Sequence, residues 1–310
     1  MRFFLIPILL MFTSSIFADV MRVIILGSGT PRPDINRFSQ SILVEAGNEK
    51  LLFDAGRGAT IRLSQAGINI KDINKVFLTH LHSDHTLGLS DLIMTGWIYQ
   101  RSQQFQIFGP VGTKDFVKNI KLAFSEDIKI RTVPPENHTL EGLSTPTAEI
   151  EEGLVYKKNG VEVIAFRVDH GGGVKHAFGY KIVYNKKVVV ISGDTNYSDN
   201  LIKYAKNCDL LIHEIADAPS KVISNNIRVQ GLMNYHTTPS EMIKIINAVN
   251  PKFTILTHIL ALGGISISEI HNKVLSSVNK DYQIEMAYDL MAIDIKENIQ
   301  TYSIDYSNEK

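Results

Sequence analysis

Four side chains able to bind a metal ion fall within six residues: His80, His82, Asp84 and His85, in Thr79-His80-Leu81-His82-Ser83-Asp84-His85. Histidine and aspartate at this spacing point to activation of water for hydrolysis at a metal ion. The run Lys75-Val76-Phe77-Leu78 before them reads as a buried strand, and residues 89–97, behind Gly88, read as a helix. Residues i and i+2 at a strand end point the same way, so His80 and His82 can share one ion. Where the chain turns into the helix, Asp84 and His85 are directed to a second point close by. The spacing therefore suits two metals in one cleft.

Two ions need more donors than one loop supplies, and the chain offers three at comparable places. His170 ends the strand-like run 161–169 and precedes Gly171, Gly172 and Gly173. Asp194 follows the apolar run Val188-Val189-Val190-Ile191, and His258 ends Phe253-Thr254-Ile255-Leu256-Thr257. Any one of these has a structural reading as a polar residue closing a strand. Together they place imidazoles and carboxylates at the ends of buried strands, where loops of one sheet edge converge. Three such donors per ion, with a position left for water, make a catalytic rather than a structural site.

In this order and spacing the chain resembles the metallo-β-lactamase superfamily of hydrolases, from about Met21 to about Asp294. The resemblance implies an α/β class with a four-layer αββα sandwich, a single domain, and a dinuclear site at one edge of the sheets. It implies that His80, His82 and His170 hold one ion, that Asp84, His85 and His258 hold the other, and that Asp194 bridges them. Asp54, in Leu51-Leu52-Phe53-Asp54-Ala55-Gly56, would support the site from behind the ligands. Zinc suits the donor set, as do manganese and iron.

Two further motifs resemble the ribonuclease Z-like branch, which includes tRNA 3′-processing endonucleases, phosphodiesterases and arylsulfatases. They are Asp209-Leu210-Leu211-Ile212-His213-Glu214 and Tyr235-His236-Thr237-Thr238-Pro239-Ser240-Glu241. By that resemblance His236 protonates the leaving group and Glu214 holds it in place. The structural alternatives are that His236 caps the helix that follows, where Thr238 and Glu241 also read as capping residues, and that Glu214 is a buried structural carboxylate. β-Lactamases proper and glyoxalase-type thioesterases fit less well, the former lacking the bridging aspartate after a Ser-Gly strand end and the latter the downstream motif pair.

The branch's tRNA-processing members in bacteria carry a basic, glycine-rich arm after the Ala-Phe-Gly-Tyr segment. Here Ala177-Phe178-Gly179-Tyr180 is followed only by a short hairpin turning at Asn185-Lys186. The branch's CCA-end loop is only loosely echoed in Thr30-Pro31-Arg32-Pro33-Asp34-Ile35-Asn36-Arg37. Lys plus Arg and Asp plus Glu are 32 each, so the composition gives no support for a basic, phosphate-neutralising surface. These features lead to the expectation of a small-molecule ester rather than a nucleic acid as substrate.

Arg2, the apolar run 3–12 and Ala18 have the pattern of a secretory signal peptide, too short to span a bilayer. The expectation is a signal peptide at 1–18, a hydrolase domain at 19–310, and a periplasmic or secreted enzyme with no membrane association after cleavage. A start at Met21 would make it cytoplasmic. Hydrophobic content of 44% is enough for one large core. Helices are expected near 58–66, 114–124, 200–206 and 240–249, and an irregular stretch at 127–147. The polar segment 215–234 is expected to wall the cleft. His138, His176 and His271 belong to no ligand pattern, and lone Cys208 reads as core.

The combined expectation is an exported dinuclear hydrolase of phosphodiester or sulfate esters, resembling arylsulfatases and phosphodiesterases, with a homodimer suggested by the resemblance. In it Asp84 orients the attacking hydroxide and His236 donates the proton. The alternatives are a tRNA 3′-processing endoribonuclease, a lactonase or β-lactamase, and, from another class, a non-catalytic binding protein on the same scaffold.

Overall fold

The apolar strand runs are buried on both faces, which is why they show little of the alternation of a half-exposed strand. In the computed structural model, which describes residues 20–306, β1 (Met21–Gly27) turns Met21, Val23 and Ile25 into a layer between two sheets. Its Ile24 and Leu26 face a helical layer on the other side. The expected signal segment, 1–18, lies outside the described residues.

The first sheet also contains β2 (Ser41–Ala46), β3 (Glu49–Phe53), β4 (Lys75–Phe77), β5 (Gln106–Gly109) and β6 (Thr147–Glu149). The second is built from β7 (Gly153–Lys158), β8 (Val161–Val168), β9 (Ala177–Tyr184), β10 (Lys187–Ile191), β11 (Leu210–Asp217), β12 (Phe253–Ala261) and β13 (Gln283–Met286). The chain then returns to the first sheet as β14 (Met291–Ile295) and β15 (Ile299–Ser303). The strand orders are β15-β14-β1-β2-β3-β4-β5-β6 and β13-β12-β11-β10-β9-β8-β7. Each sheet has an antiparallel part joined to a parallel part: β3 to β6 run parallel in one, β10 to β13 in the other. Because β9 is antiparallel to both β8 and β10, strands β8, β10, β11 and β12 all end at the same edge.

Helices cover both outer faces. On the first sheet lie α1 (Ala59–Gln65), the short α2 (Ser83–Thr86), α3 (Leu89–Ile98), α4 (Thr113–Ala123) and α5 (Ser125–Arg131). Over the second lie α6 (Asp199–Ala205), α9 (Pro239–Val249) and α10 (Ile267–Leu275), while α7 (Ser220–Asn225) and α8 (Ile227–Met233) fall between β11 and α9 in the chain. Three apolar layers, one between the sheets and one under each set of helices, give the expected αββα sandwich in a single domain.

The expected irregular stretch at 127–147 begins instead on α5. Glu126 and Asp127 in its first turn and Lys129 and Arg131 in its last match the helix dipole, a local signal that the prolines further on obscure. Segment 215–234 completes β11 and then forms α7 and α8, whose polar residues face solvent while Met233 is buried.

Beneath the edge where the strands end, the sheets are tied together. The buried Tyr180 hydroxyl donates to Leu78 O at 2.6 Å, and Phe178 N–H donates to Thr79 O at 2.9 Å. Losing the hydroxyl would leave a buried carbonyl unpaired, at a cost of about 1–3 kcal/mol. Phe53 and Phe77 stack at 5.1 Å in the same layer, so the floor under the ligand loops is rigid.

Candidate metal centre

All seven expected ligands converge. His80 follows β4, His82 precedes α2, and Asp84 and His85 lie on α2. His170 follows β8, Asp194 follows β10, and His258 lies within β12 at a left-handed φ of 43°, where the pairing with β11 shifts register. That local distortion turns the His258 ring out of the strand and towards the cluster.

Asp194 Oδ2 is at the centre. It stands 3.3 Å from His85 Nε2, 3.4 Å from His258 Nε2, 3.8 Å from His170 Nε2 and 3.9 Å from His80 Nε2. His82 Nδ1 is 3.1 Å from His170 Nε2. Asp84 Oδ2 is 3.1 Å from His258 Nε2 and 3.6 Å from His85 Nε2. Bonds of about 2.0–2.2 Å to a tetrahedral ion set its donor atoms roughly 3.3–3.6 Å apart, close to these spacings. His80 Nε2, His85 Nε2 and Asp194 Oδ1 are buried without a hydrogen-bond partner. Leaving such atoms unpaired is costly, and cations between them would satisfy all three. On donor type, spacing and orphaned atoms, the residues fit two divalent ions.

The electrostatics agree. Burial holds His80 neutral, its pKa well below the imidazole range, with the neighbouring His85 adding to the effect. Burial and neighbouring imidazoles likewise lower His170, against the pull of Asp194. Neutral imidazole is the form that binds metal. At His85 burial also disfavours charge, but the Asp194 and Asp54 carboxylates outweigh it and hold the pKa well above the usual range. An ion at Nε2 would take the place of that proton. Burial opposes ionisation of Asp194, yet His258 and His85 overcome it and keep the carboxylate charged.

Asp54 braces the cluster from behind. At the end of β3 it adopts a left-handed φ of 57°, and its carboxylate accepts from Thr79 N–H at 2.8 Å and from Thr79 Oγ1 at 2.8 Å. Its Oδ2 lies 2.7 Å from His85 Nδ1, which leaves His85 Nε2 directed at Asp194. The backbones of this turn and of α2 approach so closely that a Cβ at Gly56 would sit 2.4 Å from Asp84 O. Thr79 is the residue whose part sequence reasoning missed; a hydroxyl directly before the first histidine was its only signal.

His236 and Glu214 stand next to the cluster. His236 Nδ1 lies 3.1 Å from Glu214 Oε1, which also accepts Thr237 N–H at 2.9 Å and Thr195 N–H at 3.3 Å. The His236 ring is 5.2 Å from that of His170 and 5.7 Å from that of His258. Burial works against a charged ring, but the Glu214 carboxylate outweighs it and the His236 pKa is pushed up to about 9. The helix-cap alternative belongs to Thr238, whose N–H and Oγ1 both bond Glu241 Oε2, at 2.9 and 2.7 Å. His138, His176 and His271 lie outside the cluster, beside Glu136, Arg167 and Ile284 O respectively.

The cluster opens into a cleft of about 250 Å³, with Pro31, Leu232, Tyr235 and Leu260 as its apolar wall. Leu232 comes from the segment expected to wall the cleft, and Tyr235 directly follows it. A larger hollow of about 580 Å³, between α1 and α3, contains none of these residues, so chemistry rather than size locates the site.

The model of the family described as "Anti-Pycsar protein Apyc1" matches residues 21–246. A ribonuclease Z of Mycobacterium sp. (strain KMS) is 32% identical over 250 residues, 78% of this chain and 85% of its own length. Among solved structures, the metallo-β-lactamase fold protein YhfI of Bacillus subtilis superposes with a TM-score of 0.69 at 18% identity, covering 89% of this chain and 100% of that one. The short form of human tRNase Z gives a TM-score of 0.64 at 24% identity, covering 89% and 99%.

The ribonuclease relatives overturn the expectation that nucleic acid is not the substrate. The inference from zero net charge failed because it sums over the whole surface, whereas one phosphodiester is met by local charge at the cleft. The family match over residues 21–246 and the match to the mycobacterial enzyme lead to one assignment: the chain belongs to the Anti-Pycsar protein Apyc1 family, in the ribonuclease Z-like branch of the metallo-β-lactamase superfamily of metal-dependent hydrolases.

Proposed function

We propose that the protein hydrolyses phosphodiester linkages of RNA at a dinuclear zinc centre. The observation that carries the reading is the position of Asp194 Oδ2, within 3.9 Å of the Nε2 atoms of four imidazoles, those of His80, His85, His170 and His258. The mycobacterial relative's name, ribonuclease Z, supports RNA as the substrate class. His80, His82 and His170 would hold one ion and Asp84, His85 and His258 the other, with Asp194 shared. Such ions supply charge for the phosphoryl oxygens and lower the pKa of water towards neutrality.

The remaining steps fall to this chain's own groups. Attack on phosphorus breaks the bond to the leaving ribose oxygen, which needs a proton as it departs. His236 is the donor: Nδ1 is engaged by Glu214, leaving Nε2 for the leaving oxygen. Glu214 keeps the ring protonated and oriented, and the Thr195 and Thr237 N–H groups keep Glu214 in place. Asp84, between His85 and His258, orients the attacking water. Leu232, Tyr235 and Leu260 limit bulk water at the cleft.

The test is a labelled oligoribonucleotide, the same sequence as DNA, and an aryl sulfate, each with zinc-loaded protein. Cleavage of RNA that a chelator abolishes is the expected result. Turnover of the aryl sulfate with RNA left intact would overturn the reading.

A further inference from the structure

The proton donor and the shared carboxylate reach the cleft on different loops. Asp194 stands on the loop after β10, and His236 on the loop between α8 and α9. Cleavage needs the two loops at a fixed separation, since the donor must meet the leaving oxygen of a phosphate held at the ligand cluster. Glu214 engages His236 Nδ1 and so sets the orientation of the ring. The same carboxylate oxygen touches both loops, but its bond to Thr195 N–H is 3.3 Å long. A shorter and direct link lies beside it.

Thr237, directly after His236, has no exposed surface, and each of its polar groups has a partner. Its N–H donates to Glu214 Oε1 at 2.9 Å, its carbonyl accepts Ala216 N–H at 2.9 Å, and its Oγ1 donates to Thr195 O at 2.7 Å. Thr195 is the residue directly after Asp194, and it too is fully buried. No water competes for the hydroxyl, and the low dielectric around it strengthens the bond.

The junction extends to a third loop, the one that carries His170. Asp169 O accepts Asn196 N–H at 3.0 Å and lies 3.3 Å from Thr195 Oγ1. His170 Nδ1 in turn is 3.3 Å from Tyr235 O, on the residue before His236. The loop after β8, the loop after β10 and the loop before α9 thus close a circuit of hydrogen bonds beside the ligand cluster. The Thr237 hydroxyl is the side-chain member that joins the second of them to the third.

We propose that Thr237 is a positioning residue: its hydroxyl, bonded to the carbonyl next to Asp194, sets the reach of the His236 ring towards a phosphate at the ligand cluster. The proposal rests on the phosphodiesterase reading above and adds the residue that fixes the distance over which the proton donor works. Placement of this kind governs rate, since a displacement of about 1 Å costs on the order of 10²-fold. Valine has nearly the shape of threonine but no donor, so it would leave Thr195 O unpaired in the interior.

The test compares zinc-loaded wild type with Thr237→Val and Thr237→Ser. In Thr237→Val, kcat for RNA should fall about 10- to 100-fold with KM little changed. Bis(p-nitrophenyl) phosphate, whose leaving group needs no proton, should keep most of its rate, and metal content should stay at the wild-type level. Thr237→Ser keeps the hydroxyl and should restore the wild-type ratio of the two rates. An equal loss on both substrates, loss of metal, or a ratio in Thr237→Ser no better than in Thr237→Val would overturn the proposal. Thr237→Cys, whose thiol is a weak donor, takes the place of Thr237→Val if that chain does not fold. Cleavage of no RNA by wild type would count against the RNA reading instead. The positioning is then decided by crystal structures of wild type and the hydroxyl-free variant: a His236 ring displaced by about 1 Å relative to Asp194 supports it, and an unmoved ring overturns it.

Discussion

His236 Nδ1 lies 3.1 Å from Glu214 Oε1, and the same carboxylate oxygen accepts the backbone N–H of Thr237, the residue next to the histidine. One oxygen thus fixes both the ring and the chain that carries it. The arrangement leaves Nε2 free at the cleft and favours a protonated imidazole, which is what a proton donor to a leaving oxygen needs.

His236→Ala is therefore expected to keep its metal and to slow RNA cleavage by about 10²- to 10⁴-fold. Bis(p-nitrophenyl) phosphate, whose leaving group departs without protonation, should lose much less. Steady-state rates on the two substrates decide it. An equal drop on both would mean that the ring binds substrate and donates no proton.

The pH profile should follow the same pair. The donor form exists below the pKa, so activity is expected to fall as pH rises through the His236 pKa, about 9 before any lowering by bound cations. Glu214→Gln removes the charge that raises it, so the alkaline limb should move to lower pH while metal content stays the same. Rate profiles of wild type and variant read this out, and an unmoved limb would assign it to another group.

Asp54 lies 2.7 Å, through Oδ2, from His85 Nδ1, and would act through that ring on an ion held at Nε2. Asp54→Asn is expected to weaken binding of one ion by about 10- to 100-fold and to leave the other nearly unaffected. Competition with a chromophoric chelator resolves the two affinities. Two unchanged constants would show that Asp54 only ties Thr79 to the β3 end.

Residues 1–18 are proposed as an export signal, cleaved after Ala18. A fusion of residues 1–20 to a reporter active only in the periplasm should be active and trimmed. A fusion that stays in the cytosol at full length would show that the segment is not an export signal.

The convergence of the candidate ligands was legible because His80, His170 and Asp194 stand just past the end of an apolar strand run, where a closing polar residue stands out; His258 lies within β12, at a register shift that composition does not mark. His80, His82, Asp84 and His85 stand out most plainly, following on Lys75–Phe77. The partners of Asp54 were less legible, since Thr79 and His85 reach it across 25 and 31 residues, through contacts that only the folded sheet creates. Thr238 and Glu241 as the cap of α9 were legible in the sequence; that the cap leaves the His236 ring to Glu214 needed the hydrogen bonds. Substrate class was misread because charge was summed over the chain.

The central claim is that Asp194 is shared by two ions. Elemental analysis of purified wild type and Asp194→Ala, both loaded with zinc and desalted, tests it most directly. The account predicts about two ions per chain in wild type and loss of both, with loss of RNA cleavage, in the variant. Retention of two ions by Asp194→Ala would contradict it.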